Sequence, residues 1–364
     1  MNVPVTLFDH ARDQLRNLCQ VAGFADEDEA PATVLRELLG AAGRRPLTAP
    51  PVWLSDVADD ATPVEFSLAF DASGERAVRI LGETIPENPG PAANIEAAKR
   101  FLTHMAQRYA VNLDRFRAVE DLFLTERPQG KFALWFSLIL RPGRVPALKV
   151  YFNPLVRGDQ AARGLVAEAL RRLGLRDAYD TVERYALCRG AADKFSFFAL
   201  DLDDGPLSRV KLYVSHDSGD SSTVERAATA VDGVDPLALR EFLTLAGGGT
   251  GPFAGRPLVS SYSFVEADSG RPGNYSLYLP VRDYVPDDEV ARAQALAHLE
   301  RAGVPAAELD RAIGAMTSRP LSEGVGLVAH LSLRLGRFGS GTTVYLSSEA
   351  YGVTPSRARA AAAL

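Results

Sequence analysis

Ala147-Leu148-Lys149-Val150-Tyr151-Phe152-Asn153-Pro154 alternates strictly, with Lys149, Tyr151 and Asn153 on one side and Leu148, Val150 and Phe152 on the other. A period of two over this length is a β-strand with one apolar face. The same order of residues returns at Arg209-Val210-Lys211-Leu212-Tyr213-Val214-Ser215. Weaker copies follow: Glu65 and Ser67 alternate with Phe66 and Leu68, Ser276, Tyr278 and Arg282 with Leu277, Leu279 and Val281, and Thr343, Tyr345 and Ser347 with Val344 and Leu346.

Each such strand has a partner across a turn rich in Gly, Pro or Asp, which is hairpin chemistry. The expected pairs are 64–71 with 77–81, 132–140 with 147–153, 195–202 with 208–215, 259–266 with 275–281, and 326–335 with 342–347. The fourth turn runs from Ser269 to Gly273. Between the pairs, 92–109, 160–173, 235–245 and 287–302 carry apolar residues at helical spacing, and 305–316 shows a second, shorter helix. The expectation is one α/β domain over 1–364, with a helical lead-in over 1–60. Five hairpin repeats fill 63–347, and a short helix or tail follows. A tandem solenoid would leave strand edges open. Ten antiparallel strands closed into a barrel abolish them. With helices covering the apolar face, the polar face turns inward, and ten strands leave room for a ligand. A single Lys or Tyr on a sheet is ordinarily just solvated. Recurrence at the same place in each unit argues for a wide chamber lined with tyrosine and cations.

Composition agrees with a globular chain: 364 residues, 46% hydrophobic and 24% charged. A net charge of −6 argues against general binding to nucleic acid or anionic membrane. Residues 1–18 are too interrupted by charge for a signal peptide or a span, and no other apolar run reaches membrane length. Two cysteines and five histidines fall in no metal-ligand spacing, and the two cysteines give only weak support for a structural disulfide, so a reducing cytoplasm is expected.

Lys149-Val150-Tyr151-Phe152-Asn153-Pro154 and Arg209-Val210-Lys211-Leu212-Tyr213 resemble the diphosphate-binding strands of the dimethylallyltryptophan-synthase-type indole prenyltransferases. Pro63-Val64-Glu65-Phe66-Ser67 resembles their indole-anchoring strand, and Val78-Arg79-Ile80 with Glu83 the strand after it. Tyr275-Ser276-Leu277-Tyr278-Leu279-Pro280 and Thr343-Val344-Tyr345 resemble the later tyrosine strands. The resemblance spans about 63–347, and the short chain is similar to the bacterial branch. It implies the ten-stranded antiparallel prenyltransferase (ABBA-type) barrel of five ααββ-like repeats. The implied activity is transfer of a dimethylallyl group from dimethylallyl diphosphate to the indole of tryptophan or a related acceptor. That reaction belongs to secondary metabolism, in an enzyme that works without metal as a monomer or homodimer.

The roles it implies are specific. Arg79, Lys149, Arg209 and Lys211 clamp the diphosphate, with Arg282 and Arg334 as further members. Tyr151, Tyr213, Tyr278 and Tyr345 shield the allylic cation. Glu65 accepts the indole N–H and is expected to be ionised. None of the Asp pairs at 59–60, 203–204 or 287–288 continues into DDxxD, the motif that would hold Mg²⁺. The third strand holds no lysine, the residue that removes the ring proton in fungal C4-prenylating members. Trp135 and Ser137 are expected to face the acceptor there, and the base is left among Glu65, His330, diphosphate and water. Lys194 is a rim position or a further clamp residue. Two other functions remain open at this point: prenylation of a phenolic, naphthol or phenazine acceptor, and an anion-binding barrel without catalysis.

Overall fold

In the computed structural model, which describes residues 4–266 and 270–362, ten antiparallel strands form one closed barrel. The strands are β1 (Val64–Asp71), β2 (Arg76–Gly82), β3 (Leu134–Leu140), β4 (Ala147–Phe152), β5 (Asp193–Asp201), β6 (Val210–His216), β7 (Leu258–Phe264), β8 (Asn274–Leu279), β9 (Val328–Gly336) and β10 (Gly341–Ser347). Each pairs with its neighbours in sequence, and β1 closes the ring on β10 with Glu65 opposite Ser347 and Ser67 opposite Tyr345. All five expected hairpins form. Ser269, the first residue of the fourth expected turn, lies outside the described residues.

Twelve α-helical segments surround the sheet among the described residues. They are α1 (Leu7–Val21), α2 (Ala30–Gly43), α3 (Pro91–Arg108), α4 (Asp114–Arg117), α5 (Glu120–Phe123), α6 (Asp159–Arg172), α7 (Arg176–Ala186), α8 (Ser221–Ala228), α9 (Pro236–Gly247), α10 (Asp288–Arg301), α11 (Ala306–Met316) and α12 (Arg357–Ala362). The lead-in is the helix pair of the first repeat, since α1 packs on both α2 and α11 and so completes the outer ring. Local chemistry sets the helix ends. Thr6 and Asp9 form a reciprocal capping box at α1. Asp235 accepts from Leu237 N at 2.9 Å ahead of Pro236, while Gly248 at φ +72° ends α9 in the left-handed region. No described helix is long and apolar enough to cross a membrane.

The outward face of the barrel is the core. Phe66, Leu68, Val150, Phe152, Leu212 and Val344 are fully buried beneath the helices. Phe123 of α5 stacks on Phe152 at 4.7 Å and on Phe198 at 5.2 Å, and Phe101 of α3 meets Phe136 at 4.8 Å. Losing one such ring costs about 3–5 kcal/mol. One polar chain runs through this wall: His216 joins Asp193 (2.8 Å) to Ser260 (2.8 Å), and Ser260 joins Tyr275 (2.7 Å). The order resembles a hydrolytic triad. However, His216 and Ser260 are wholly buried on the outer side, so the chain ties β5, β6, β7 and β8 together and meets no substrate.

Candidate active site

The inward face encloses a chamber of about 530 Å³, within the range of small-molecule sites. Its two ends differ because every hairpin turn lies at one end and every helical crossing at the other.

At the hairpin end Arg79, Lys149, Arg209, Lys211 and Arg334 line the chamber, as expected from sequence. Arg141 joins them from the end of β3, paired with Glu75 at 3.2 Å. Asp201 organises the group: its Oδ2 accepts from Arg209 Nε at 2.6 Å, and Lys149 Nζ stands 3.2 Å from Oδ1. Arg334 pairs with Asp71. Arg79 donates to Thr343 Oγ1 at 3.3 Å, and Lys211 Nζ lies 5.3 Å from the centre of the Tyr213 ring. Neither forms an ion pair among the described residues. Burial pushes Lys149 down to about 8, with Asp201 pulling the other way and Arg209 and Arg79 adding to the fall. Lys211 is driven well below the usual lysine range by burial and by Lys149 and Arg209. Burial raises the carboxyl of Asp201, but Lys149 and Arg209 outweigh it and hold Asp201 far below the usual range. This end therefore carries more cation than it can stabilise alone.

An aromatic belt rings the middle. Tyr151 and Tyr213 are 5.8 Å apart between ring centres, Tyr213 and Tyr278 5.7 Å, and Tyr278 and Tyr345 6.0 Å. The Tyr213 hydroxyl donates to that of Tyr151 at 3.5 Å. Phe197, which sequence reasoning missed, meets Tyr151, Tyr213 and Trp135 edge-on or tilted. Strict alternation would put Phe195 and Phe197 on one face. A bulge between them leaves Phe195 buried in the outer core and turns Phe197 inward. Phe132 extends the belt by stacking on Trp135 at 4.1 Å.

The other end holds Glu65, Trp135, Ser137 and His330. Glu65 Oε2 is buried without a hydrogen-bond partner, as is Trp135 Nε1. Glu65 is less firmly ionised than expected, part-protonated near neutral pH. Burial raises it to about 7, and Arg282, the nearby cation, is offset by Asp59. Burial also drives His330 well below the usual histidine range, helped by Arg282 and Arg256, so it is neutral at physiological pH. Arg282 does not join the hairpin-end cations. β8 ends at Leu279, and Pro280 leads into a single tight turn over Val281–Asp283, which carries Arg282 to the Glu65 end. There it meets Asp59 at 3.2 Å. Lys194 stands at the rim, part-exposed and 4.0 Å from Asp159, outside the chamber lining. Among the described residues no group of three or more His, Cys, Asp or Glu could hold a metal ion.

Comparison with known proteins agrees with this architecture. A 6-dimethylallyltryptophan synthase from Micromonospora olivasterospora, solved with DMASPP and Trp, is 49% identical, with 97% of this chain and 100% of that one covered and a TM-score of 0.92. The prenyltransferase PriB, solved with L-tryptophan and dimethylallyl thiolodiphosphate, is 40% identical over 97% of this chain and 99% of that one, at a TM-score of 0.89. A 5-dimethylallyltryptophan synthase from Streptomyces coelicolor, solved with DMASPP and Trp, is 39% identical over 97% and 98%, at 0.90. The family model described as tryptophan dimethylallyltransferase matches residues 32–310, which takes in most of the lead-in helix α2, eight of the ten strands and lining residues from both ends of the chamber. A barrel of this shape, similarity over nearly its whole length and a match across most of its sequence have one common account: the chain belongs to the tryptophan dimethylallyltransferase family.

Proposed function

We propose that this protein transfers the dimethylallyl group of dimethylallyl diphosphate to the indole ring of tryptophan. The observation that carries the reading is the division of one chamber into an over-charged cationic end, an aromatic belt and a buried carboxyl end. The family and the substrate complexes of its relatives support it.

The geometry suits the chemistry in order. Diphosphate enters among Arg79, Lys149, Arg209, Lys211, Arg334 and Arg141, where its charge recharges the depressed lysines. Cleavage of the C1–O bond leaves an allylic cation and inorganic diphosphate, and cations already in place stabilise the charge that develops on the leaving oxygen. The allylic cation then lies against Tyr151, Tyr213, Tyr278 and Tyr345, whose ring faces each contribute about 0.5–2 kcal/mol and whose bulk keeps water away. The indole N–H donates to Glu65, which fixes the ring over the cation and raises its electron density. A ring atom attacks C1 or C3 of the allyl group, and the ring proton leaves to a base at this end. His330 and Glu65 both have free acceptor capacity there. Protein cations stand where a metal would otherwise neutralise the diphosphate, so we infer that turnover needs no metal. A passive anion carrier would have no use for the aromatic belt. The unpaired cysteines Cys19 and Cys188 suit work in a reducing cytoplasm.

The test is incubation with dimethylallyl diphosphate and L-tryptophan in EDTA, followed by identification of the product by NMR. Prenylated tryptophan with stoichiometric diphosphate is expected. Binding of both substrates without consumption would end the enzyme reading, and loss of turnover on chelation would end the metal-free one.

A further inference from the structure

Two carboxylates line the chamber at the end suited to an anion, and the transfer chemistry leaves them unused. Asp71 ends β1 and Glu75 precedes β2, so both border one turn. Asp71 Oδ2 takes Nη2 of Arg334, from β9. Glu75 Oε1 takes Nε of Arg141, just past β3, at 3.2 Å, with Nη2 of Arg144 at 3.8 Å. These pairs differ in depth from those of Asp201. The Asp201 side chain is 7% exposed, whereas Asp71 and Glu75 stand at the mouth with 29% and 43% exposed.

The turn itself is pinned. Gly74 N–H donates to Asp71 O at 2.9 Å, Asp71 N–H to Glu75 O at 3.1 Å, and Ser73 N–H to Asp71 Oδ1 at 3.0 Å. Arg76 donates to Gly74 O at 3.1 Å and is fastened to Glu308 of α11 at 2.6 Å. The two arginines are held less completely. Arg334 Nε is buried without a hydrogen-bond partner. Burial lowers the pKa of both, and Arg79 and Arg209 lower it further, opposed by Glu75 at Arg141 and by Asp71 at Arg334. Arg141 and Arg334 thus belong electrostatically with the other hairpin-end cations, yet each is engaged by a carboxylate.

Heterolysis of the C1–O bond leaves the electron pair on oxygen, so free diphosphate carries more negative charge than the ester it came from. A purely cationic pocket would hold that product more tightly than the donor. Cations that help the bond break then obstruct turnover, and product release limits many enzymes. Arginines engaged by carboxylates lower the fraction of the site ready for an anion, and with it the apparent affinity.

We propose that Asp71 and Glu75 are release residues for diphosphate: they compete with it for Arg334 and Arg141, and take those arginines back as the product leaves. This rests on the reading of the hairpin end as the diphosphate site. Each carboxylate acts through an arginine, so both are positioning residues.

Asp71→Asn and Glu75→Gln keep the side-chain shapes, and Asn keeps an oxygen to accept from Ser73. Each should tighten the binding of inorganic diphosphate to the full chain, read by calorimetry, by about three- to fivefold, the scale of a part-exposed ion pair. The double substitution should tighten it by about tenfold or more. Release of diphosphate after a single turnover with dimethylallyl diphosphate and L-tryptophan, followed by a coupled diphosphate assay, should slow by a matching factor, since such changes fall mainly on dissociation. The bond-forming step should stay as fast as in wild type. In an Arg141→Gln background, Glu75→Gln should lose most of its gain, because the arginine it acts through is gone, while Asp71→Asn keeps its own. Unchanged or weaker diphosphate binding in either single variant, release that is not slowed, or a Glu75→Gln gain that survives intact without Arg141 would overturn the release role and leave prenylation standing. A wild type that binds no inorganic diphosphate would instead bring down the functional reading itself.

Discussion

The two ends of the chamber solve opposite electrostatic problems with the same strands. At the hairpin end, positive charge exceeds negative, and Lys149 and Lys211 are both pushed down by burial and by neighbouring cations, Arg209 and Arg79 acting on Lys149, and Lys149 and Arg209 on Lys211. At the crossing end, arginine and aspartate balance, and Glu65 is pushed up by burial to about 7. The first end is unsettled without an anion. The second is near neutrality and suited to an uncharged ring and a mobile proton. The difference teaches that the leaving group and the acceptor are handled by separate machinery, with the aromatic belt between them. Each end should therefore fail in its own way.

The largest expected effect comes from the hairpin end. Lys211→Ala should lower kcat for diphosphate release by about 10²–10³-fold, the scale for losing one donor to a developing anion. Near-normal turnover would remove Lys211 from the clamp and weaken the distinction between the ends. At the crossing end, Glu65→Gln should reduce product formation by about 10²-fold, on the general scale of acid–base and hydrogen-bonding groups. Its affinity for inorganic diphosphate, read by calorimetry, should stay as in wild type. A parallel loss of diphosphate binding would mean that the ends are not separable.

The pH profile sharpens the same contrast. Glu65 must be ionised to accept the N–H, so kcat/KM for tryptophan in donor-saturated enzyme should rise with pH through about 7. Lys149 must be protonated to hold the diphosphate, so kcat/KM for dimethylallyl diphosphate should fall as pH rises past about 8. Glu65→Gln should flatten only the acid limb. Lys149→Arg, whose guanidinium stays charged, should move only the alkaline limb upward. Both limbs moving together in either variant would show that they titrate as one coupled set.

Alternation made most of this site legible from sequence. A residue in the middle of a regular strand has its face fixed by parity, so Lys149, Tyr151, Lys211, Tyr213, Tyr278 and Tyr345 could be assigned inward without coordinates, and the turn chemistry supplied their pairing. Legibility failed where parity failed. The bulge at Phe195–Phe197 hid a belt residue, and the turn after Pro280 sent Arg282 to the opposite end from its expected partners. Asp201 was readable as an inward strand position, but its partnership with Lys149 depends on β4 lying beside β5, a contact made across the helices α6 and α7. Asp59 and Arg256 lie outside the strands, nearly 200 residues apart in sequence, and no local pattern announces that they meet. How far burial raises Glu65 was not legible for a related reason: its sequence neighbours do not show that the cation acting on it is Arg282, offset by Asp59.

The smallest expected effect concerns stability, and it separates the ends by sign of pH dependence. The folded pKa of Glu65 is about 7 against 4.5 for an ordinary glutamate. Between those values the folded chain holds a proton that the unfolded chain has released, so stability falls as pH rises from about 4.5 to 7, by on the order of 3 kcal/mol in all. Lys211 behaves inversely. Its folded pKa is depressed, so the unfolded chain binds a proton that the folded one resists, and stability falls as pH drops through the interval below 10.5. In the substrate-free protein, Glu65→Gln should thus raise the melting temperature by a few degrees at pH 8 and by little at pH 5. Lys211→Met should raise it at neutral pH, where the lysine penalty is present, and this gain should disappear when inorganic diphosphate is added to both proteins, because the anion stabilises only the chain that keeps its lysine. Differential scanning calorimetry at the two pH values, with and without diphosphate, reads all four cases. A Glu65→Gln gain that is equal at pH 5 and pH 8 would mean that its carboxyl is not the group being destabilised by burial. A Lys211→Met protein that gains as much from diphosphate as wild type would mean that the lysine's strain is not relieved by the ligand it is held ready to meet.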